Sequence, residues 1–147
     1  MQPATLSIAP IADSDVADVV ALWQACGLTR PWNDPSADIA LARRGPNSAL
    51  LVGRDAGAIV ATAMVGHDGH RGWVYYVAVD PSSQGKGLGR TMMASVEDWL
   101  RAAGVPKLQL LVRRENAKAS GFYQSLGYEE STSVMLAKWL DGREPTA

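Results

Sequence analysis

The feature that most constrains this chain is a glycine-rich turn between a predicted buried strand and a predicted helix. Residues 73–79 are apolar, β-branched or aromatic throughout, which is typical of a central strand covered on both faces. After Asp80 and Pro81 the sequence reads Ser-Ser-Gln-Gly-Lys-Gly-Leu-Gly-Arg, and apolar residues then recur with helical spacing. Glycines let a backbone approach a ligand closely, and a helix start presents unpaired N–H groups and a positive dipole end. The sequence therefore predicts an anion site, suited to phosphate, at residues 84–90.

This turn matches neither of two common phosphate loops. A Walker A loop requires Ser or Thr directly after Gly-Lys, and here Gly87 follows Lys86. A dinucleotide-binding turn requires a third glycine where Arg90 stands, and an acidic residue at the end of the next strand, which residues 107–112 lack. The turn is then either a phosphate loop of a third kind or a plain turn that starts a helix.

The order of predicted elements indicates the fold class. A hairpin signal at Asp55-Ala56-Gly57 implies antiparallel pairing, and the strand–helix–strand unit from residue 73 to 112 implies one parallel, right-handed crossover. We expect an α/β (α+β) fold in a single domain, residues 1–147, with a mixed, mostly antiparallel sheet and helices on both faces. Strands are predicted at residues 5–9, 49–54, 58–66, 73–79, 107–112 and 133–140. Helices are predicted from Asp13 or Ser14 to Gly27, from Asp34 to Arg44, from Leu88 to Gly104, and over residues 116–126.

Composition narrows the classes of function. The formal charge is −1, from 14 basic and 15 acidic residues, which disfavours a general nucleic-acid binder. The single cysteine, Cys26, excludes an intramolecular disulfide and a cysteine-based metal site, and we expect a buried, inert thiol. No signal peptide and no apolar run of ~18 residues is recognisable, so we expect a cytoplasmic protein that does not contact the membrane.

A second motif lies downstream and makes a resemblance specific. Gln84-x-x-Gly87-x-Gly89 resembles the acyl-coenzyme A signature of the GNAT superfamily of N-acetyltransferases. The run from Asn116 to Tyr128, Asn-Ala-Lys-Ala-Ser-Gly-Phe-Tyr-Gln-Ser-Leu-Gly-Tyr, resembles the same family's Asn-x-x-Ala-x-x-x-Tyr-x-x-x-Gly-Phe/Tyr motif. The element order agrees over essentially the whole chain. Residues 28–35 and 68–72 are similar to those of the small bacterial YpeA-type members.

The resemblance implies a co-substrate and the residues that bind it. Acetyl-CoA is the implied co-substrate, with no metal, and the central strand is expected to splay from the strand at residues 107–112 at a bulge. A backbone N–H near Ala78 or Val79 would bind the thioester carbonyl, Asn116 would contact the pantetheine arm, and Tyr123 would be the general acid at the sulfur. The implied cofactor-binding residues are Val77, Ala78, Val79, Gln84, Gly85, Lys86, Gly87, Leu88, Gly89, Arg90, Asn116 and Tyr123.

The general base is left open. Several members of the family carry a glutamate on the central strand where this chain has Trp73. The titratable candidates near that strand are His67, Asp68, His70, Tyr75 and Tyr76. The run from His67 to His70 reads more readily as a polar hairpin turn. Tyr75 shares strand parity with Trp73 and could orient a water molecule.

The connection between the first two helices is where the family usually has its acceptor pocket. Here Arg30 could bind a substrate carboxylate and Trp32 could form a wall, or Trp32 could be a hydrophobic staple beside the Asp34-Pro35 helix start. Two classes of function follow. One is N-acetyltransfer to a small amine, an amino acid or a peptide N-terminus; the other is a non-catalytic acyl-CoA sensor or interaction module. The expected partner is the acceptor, and a homodimer stays open.

Overall fold

The structure is a computed structural model that describes residues 5–144. The chain divides into two compact units, Met1–Leu111 and Val112–Ala147. Each unit is described by itself below. None of the helices within the described range is long and apolar enough to cross a membrane.

A five-stranded sheet forms the first unit, with its strands in sequence order. Each of the first three neighbouring pairs is antiparallel, and only the last pair is parallel, as the crossover predicts. The hairpin at Asp55-Ala56-Gly57 is present, with Ala56 and Gly57 both at positive φ, the backbone of a tight two-residue turn. The strands are β1 Ser7–Pro10, β2 Ser48–Asp55, β3 Ala58–His67, β4 Gly72–Val79 and β5 Leu108–Gln109.

Helices cover both faces of this sheet, which confirms the predicted fold class. On one face, α1 (Val16–Ala25) and α2 (Pro35–Ala42) share a buried cluster with inward residues of β2 and β4. On the other face lies α3 (Leu88–Ala102), whose Met92 sulfur stands close to Gly53. The cluster beneath α1 and α2 includes Val19, Leu22, Trp23, Ile39, Leu50, Val52 and Ala78.

Local signals set several element boundaries as predicted. Asp34 caps α2 because its Oδ1 accepts from the backbone N–H groups of Ser36 (3.0 Å) and Ala37 (3.2 Å). Gly72 begins β4 where a Cβ atom would lie 2.5 Å from the Leu100 side chain, so only glycine lets α3 pack this closely. The start of β4 is therefore packed directly against α3.

Three details of the sequence prediction for the first unit are wrong. Asp13 and Ser14 do not cap α1; they lie in a 3₁₀ turn, Asp13–Asp15, in which the Asp15 carboxylate accepts from the N–H of Ala12. The strand expected at residues 107–112 pairs only over Leu108–Gln109. The central strand is not covered on both faces, because Tyr75 is 48% exposed. Apolar composition predicted the strand but not which neighbours it would have.

The second unit contains one helix, α4 (Ala117–Ser125), among its described residues. Its N-cap is Asn116, whose Oδ1 accepts from the N–H of Ala119 (3.1 Å). The strand predicted at residues 133–140 is not present. Val134 and Leu136 are 82% and 92% exposed, so the alternating pattern marks apolar residues without a strand partner.

Candidate functional site: the end of β4 and the start of α3

The loop that leaves β4 is fixed at its entrance by side-chain hydrogen bonds. The Asp80 carboxylate accepts from the N–H (2.9 Å) and the hydroxyl (2.6 Å) of Ser82, which closes the 3₁₀ turn Pro81–Ser83. These bonds hold the pKa of Asp80 below its usual range. The Gln84 side-chain amide donates back to the carbonyl of Val79 (3.2 Å). Gln84 therefore joins the loop to the last residue of β4.

Two glycines give the rest of the loop its backbone conformation. Gly85 and Gly87 have φ of 81° and 78°, in the left-handed region that L side chains rarely adopt. A Cβ atom built at either position would meet nothing within 4 Å, so the space beside the loop is open. Gly87 is the N-cap of α3, with its carbonyl accepting from the N–H of Thr91. Glycine is needed here for conformation, and the open side is left to a ligand.

The backbone N–H groups of residues 85–90 form the most distinctive feature of the site. None of them donates to an acceptor among residues 5–144. They surround the N-terminus of a 15-residue helix, where the dipole is positive. Lys86 and Arg90 are exposed on the same segment and add two positive charges. This arrangement is chemically suited to an oxyanion with several oxygens, such as a phosphate or pyrophosphate.

The open edge of β4 adds a further donor. The N–H of Asp80 donates to the carbonyl of Val60 (2.7 Å), and hydrogen-bonded pairs alternate along an antiparallel ladder. Ala78 therefore turns its N–H toward β3, and Val79 turns its N–H away. Pairing with β5 has already ended at Trp73, so the N–H of Val79 has no acceptor within the described range. Of the two amides that the sequence left open, the register makes that of Val79 available.

A β-bulge in β4 precedes this edge. The register with β3 shifts by one residue at Tyr76, whose φ of 52° is left-handed. The Tyr76 ring stacks on Trp23 with ring centroids 3.7 Å apart, and its hydroxyl donates to Asp38 (2.7 Å). Burial, and then the Asp38 carboxylate, raise the pKa of Tyr76 well above its usual range. Tyr76 is therefore poorly suited to be a base near neutral pH.

The titratable candidates before β4 lie in a turn, where the side chains of His67 and Asp68 already accept hydrogen bonds from the backbone. The Asp68 carboxylate accepts from the backbone N–H groups of His70 (2.9 Å) and Arg71 (2.8 Å), and these bonds hold its pKa below the usual range. His67 Nδ1 accepts from the N–H of Gly69 (3.1 Å). This geometry supports the polar-turn interpretation. Among the described residues, no three His, Cys, Asp or Glu side chains group as metal ligands.

Because of the bulge, Tyr75 lies on the same face of β4 as Tyr76: it pairs with Met64, which packs on the cluster that also contacts Tyr76. The Tyr75 ring is half exposed and stacks beside Trp73, with centroids 6.5 Å apart, in agreement with the predicted shared parity. Partial burial raises the pKa of the Tyr75 hydroxyl. The hydroxyl has no partner in the described part of the chain, so it is free to hold a water molecule.

Arg30 and Trp32 lie in the connection between α1 and α2. One guanidinium nitrogen of Arg30, Nη1, donates to the carbonyls of Gly27 (2.8 Å) and Thr29 (3.0 Å). Its other N–H groups have no acceptor in the described range. The connection starts at Cys26, whose thiol donates to the carbonyl of Val79 (3.3 Å); burial is the main cause that raises its pKa. Cys26 is partly buried rather than fully buried, and α1 ends beside the end of β4.

The second unit holds Asn116 and Tyr123. Asn116 uses its Oδ1 as a helix cap and keeps its NH₂ group without an acceptor among described residues. The Tyr123 ring packs edge-on against Phe122 and Tyr128, with centroids 4.9 Å and 6.0 Å away. Burial raises the pKa of Tyr123, so its phenol stays protonated at neutral pH. Its hydroxyl has no partner within residues 5–144.

Three residues at the bulge were not singled out from the sequence. They are Trp23, Asp38 and Thr62, and each contacts Tyr76 or the residue that holds it. Thr62 is completely buried in an Ala-Thr-Ala run of β3. A hydroxyl at an inward position of an apolar strand was the available signal, because a buried polar group requires a partner.

Comparison with known proteins matches the chain to one family. The model of the acetyltransferase (GNAT) family matches residues 17–128. An acetyltransferase of Yersinia enterocolitica is 40% identical over 135 residues, which cover 92% of this chain and 96% of that protein. An acetyltransferase of Yersinia pseudotuberculosis is 40% identical over 126 residues, covering 86% and 89%.

Solved structures agree in fold. The aminoglycoside N-acetyltransferase AAC(6')-Iy, in complex with a bisubstrate analogue, superposes with a TM-score of 0.78 at 17% identity over 92% of this chain and 99% of that one. A ribosomal-protein alanine N-acetyltransferase from Escherichia coli gives a TM-score of 0.74 at 26% identity over 87% and 80%. The expected superfamily and enzyme class are thereby confirmed: the chain belongs to the acetyltransferase (GNAT) family and is an acyltransferase.

Proposed function

We propose that this protein transfers the acetyl group of acetyl-CoA to a primary amine by direct attack within a ternary complex. The acceptor is a small molecule, an amino acid or a peptide N-terminus. The observation that carries the proposal is the row of unpaired N–H groups at residues 85–90, beside the open edge of β4. A pyrophosphate and an extended amide-bearing arm require these two kinds of donor.

Acetyl-CoA would bind to two neighbouring features, the loop at residues 84–90 and the open edge of β4. The loop amides, with Lys86 and Arg90, would hold the pyrophosphate, since an anion gains from both the dipole and the charges. Val77 to Val79 would pair with the pantetheine arm through the edge that β5 leaves free. Asn116 would donate its remaining N–H groups to the same arm. The residues Gln84, Gly85, Gly87, Leu88 and Gly89 complete the proposed cofactor site.

The chemistry would then need three groups. The acceptor nitrogen attacks the thioester carbon, and the N–H of Val79 stabilises the oxyanion that develops. The C–S bond breaks, and Tyr123 gives its proton to the leaving sulfur, so CoA departs as a thiol; the second proton of the attacking nitrogen then restores the Tyr123 phenol. Tyr75 would hold a water molecule that takes the proton from the ammonium of the acceptor. Because burial raises the pKa of Tyr123, the acid form persists over the whole neutral range.

On the acceptor side, Arg30 and Trp32 are the proposed binding residues. The N–H groups of Arg30 that lack an internal acceptor would bind a carboxylate, and Trp32 would pack against the acceptor's carbon skeleton. We also propose a single functional domain, since the family match from 17 to 128 includes parts of both units. Membership of the YpeA-type group, bacterial origin, a cytoplasmic location and a homodimer are part of the same proposal.

Thiol release from acetyl-CoA across a panel of amines tests the function. The proposal expects amine-dependent CoA release, together with an acetylated product that mass spectrometry identifies. The competing function is a sensor or interaction module that binds acyl-CoA without turnover. Micromolar binding of acetyl-CoA with no release above the uncatalysed rate, for every amine and for a cell extract, would favour the sensor.

A further inference from the structure

A buried hydrogen-bond chain reaches the bulge of β4 from α1 through β3. The indole N–H of Trp23 donates to the Thr62 hydroxyl oxygen (2.9 Å), and that hydroxyl donates to the carbonyl of Tyr76 (2.8 Å). Trp23 and Thr62 are both fully buried. The Tyr76 ring stacks on Trp23, and the Tyr76 hydroxyl bonds to Asp38 on α2. Four elements of the fold thus converge on one residue with a left-handed backbone.

The bulge decides which amides of β4 face its open edge. Before the bulge, the N–H of Gly72 donates to the carbonyl of Lys107, just before β5, so the N–H groups of Trp73 and Tyr75 face β3. After it, the parity is reversed and Ala78 faces β3. Without the extra residue, Val79 would pair with Val60, and its N–H would be consumed by the ladder. A one-residue shift therefore makes the amide of Val79 available.

We propose that Thr62, held by Trp23, is a positioning residue that fixes the Tyr76 bulge and so directs the Val79 amide to the open edge, where the acyl group is transferred. The inference rests on the proposed function for its effect on catalysis, but the bulge itself is a property of the free protein. A non-glycine residue at positive φ persists only where its surroundings hold it. Thr62 donates a side-chain hydrogen bond to the backbone carbonyl at that residue.

The matched variants are Thr62→Val and Thr62→Ser. Valine has nearly the same shape but removes the hydroxyl, which leaves the Trp23 donor and the Tyr76 carbonyl without a partner; serine keeps the hydroxyl. The first readout is amide hydrogen exchange in the ligand-free protein. In the wild type, the amide of Ala78 should be protected and that of Val79 should exchange at least about tenfold faster. In Thr62→Val this order should be lost or reversed, and Thr62→Ser should restore it.

The second readout is kinetic. Thr62→Val should lower kcat at least about tenfold and leave the affinity for CoA within about threefold, because residues 84–90 are unchanged. A merely structural role predicts a lower Tm with wild-type kcat in the folded protein and an unchanged exchange order, and that result would overturn the inference. If wild type shows the exchange order but transfers no acetyl group, the proposed function fails while the positioning of the bulge stands.

If Thr62→Val does not fold, Trp23→Phe is the variant to use in its place. It removes the N–H that holds the hydroxyl and keeps most of the ring stack on Tyr76. We expect a smaller change, with the exchange rates of Ala78 and Val79 brought at least about threefold closer together. Rates that stay at their wild-type ratio in Trp23→Phe would contradict the inference.

Discussion

Two glycine-containing polar turns flank β4, and they use their backbone groups in opposite ways. In the turn before β4, the Asp68 carboxylate takes the N–H groups of His70 and Arg71, so the donors are consumed locally. In the loop after β4, the carboxylate of Asp80 bonds only at the entrance, to Ser82. The amides of residues 85–90 are left without an acceptor among the described residues. Composition is similar in both turns; what differs is whether a local carboxylate already occupies the donors.

This difference explains why only one of the turns is a credible anion site. An acidic side chain inside a turn satisfies the donors and would also repel a second anion. The later loop instead carries the basic residues Lys86 and Arg90 among its glycines, and it runs into a helix of four turns. A glycine-rich segment therefore indicates a ligand site when its amides are unpaired, and a plain turn when they are not.

The largest expected effect comes from placing one negative charge in each turn and comparing the acetyl-CoA affinities of the two variants. Gly87 and Gly69 have similar φ, 78° and 87°, and a Cβ atom meets nothing within 4 Å at either. Gly87→Glu should weaken acetyl-CoA binding at least about 100-fold, because like charges in the site cost several kcal/mol. Gly69→Glu, with the same backbone strain and charge, should leave binding within about threefold. Calorimetry measures both, and equal affinities in the two folded variants would reject the loop as the phosphate site.

Tyr123 separates binding from chemistry. Tyr123→Phe removes one oxygen and keeps the ring, and should lower kcat about 10- to 150-fold, from a lost hydrogen bond of ~1.5–3 kcal/mol to the leaving sulfur. The KM of acetyl-CoA should hardly change, since residues 84–90 are intact. Tyr128→Phe in the same unit is the control and should retain full activity. At least half the wild-type kcat in Tyr123→Phe, where chemistry limits the rate, rules out the general-acid role.

Arg30 combines occupied and available donors: its Nη1 donates to the carbonyls of Gly27 and Thr29, and its other nitrogens have no acceptor within residues 5–144. If the unpaired groups bind a substrate carboxylate, Arg30→Ala should raise the acceptor KM about tenfold and leave that of acetyl-CoA unchanged. The comparison of an amine with and without a carboxylate checks this, since only the former should respond. The same KM for wild type and variant on a carboxylate-bearing substrate would assign Arg30 to the loop alone.

Asp68 gives the smallest expected effect. Its folded-state pKa is lowered by bonds from Arg71 and His70, so its contribution to stability is present above the ordinary carboxylate pKa of ~4 and is lost as pH falls through the lower folded value. Asp68→Asn should lower Tm at pH 7 by a few degrees at most, and the difference from wild type should shrink in acid. Acetyl-CoA affinity should not change. A loss of affinity would show that the turn before β4 takes part in binding.

Signals that are local in sequence predicted the structure well. The cap Asp34, the hairpin at Asp55 to Gly57 and the switch from strand to helix at residues 84–88 were all recognisable. Each depends on residues within four positions of one another, so a single segment contains the whole cause. Motifs then located the candidate site without any knowledge of the register of the sheet.

Features that depend on distant partners were predicted only in outline. The family resemblance implied a bulge in the central strand, but not that it lies at Tyr76 or that Thr62 and Trp23, 14 and 53 positions away along the chain, hold it. No pattern within residues 73–79 reveals it. Strand prediction failed at residues 133–140 for a related reason, because alternation specifies a face but not a neighbouring strand.

Backbone NMR during a titration with CoA tests the central claim most directly. The account predicts that the amide resonances of residues 85–90 shift on binding and that their hydrogen exchange slows. The amide resonances of residues 68–71 should not shift, because the Asp68 carboxylate already accepts from the N–H groups of His70 and Arg71. CoA binding that leaves residues 85–90 unchanged, or failure of CoA to bind at millimolar concentration, would contradict the assignment of this loop as the coenzyme site.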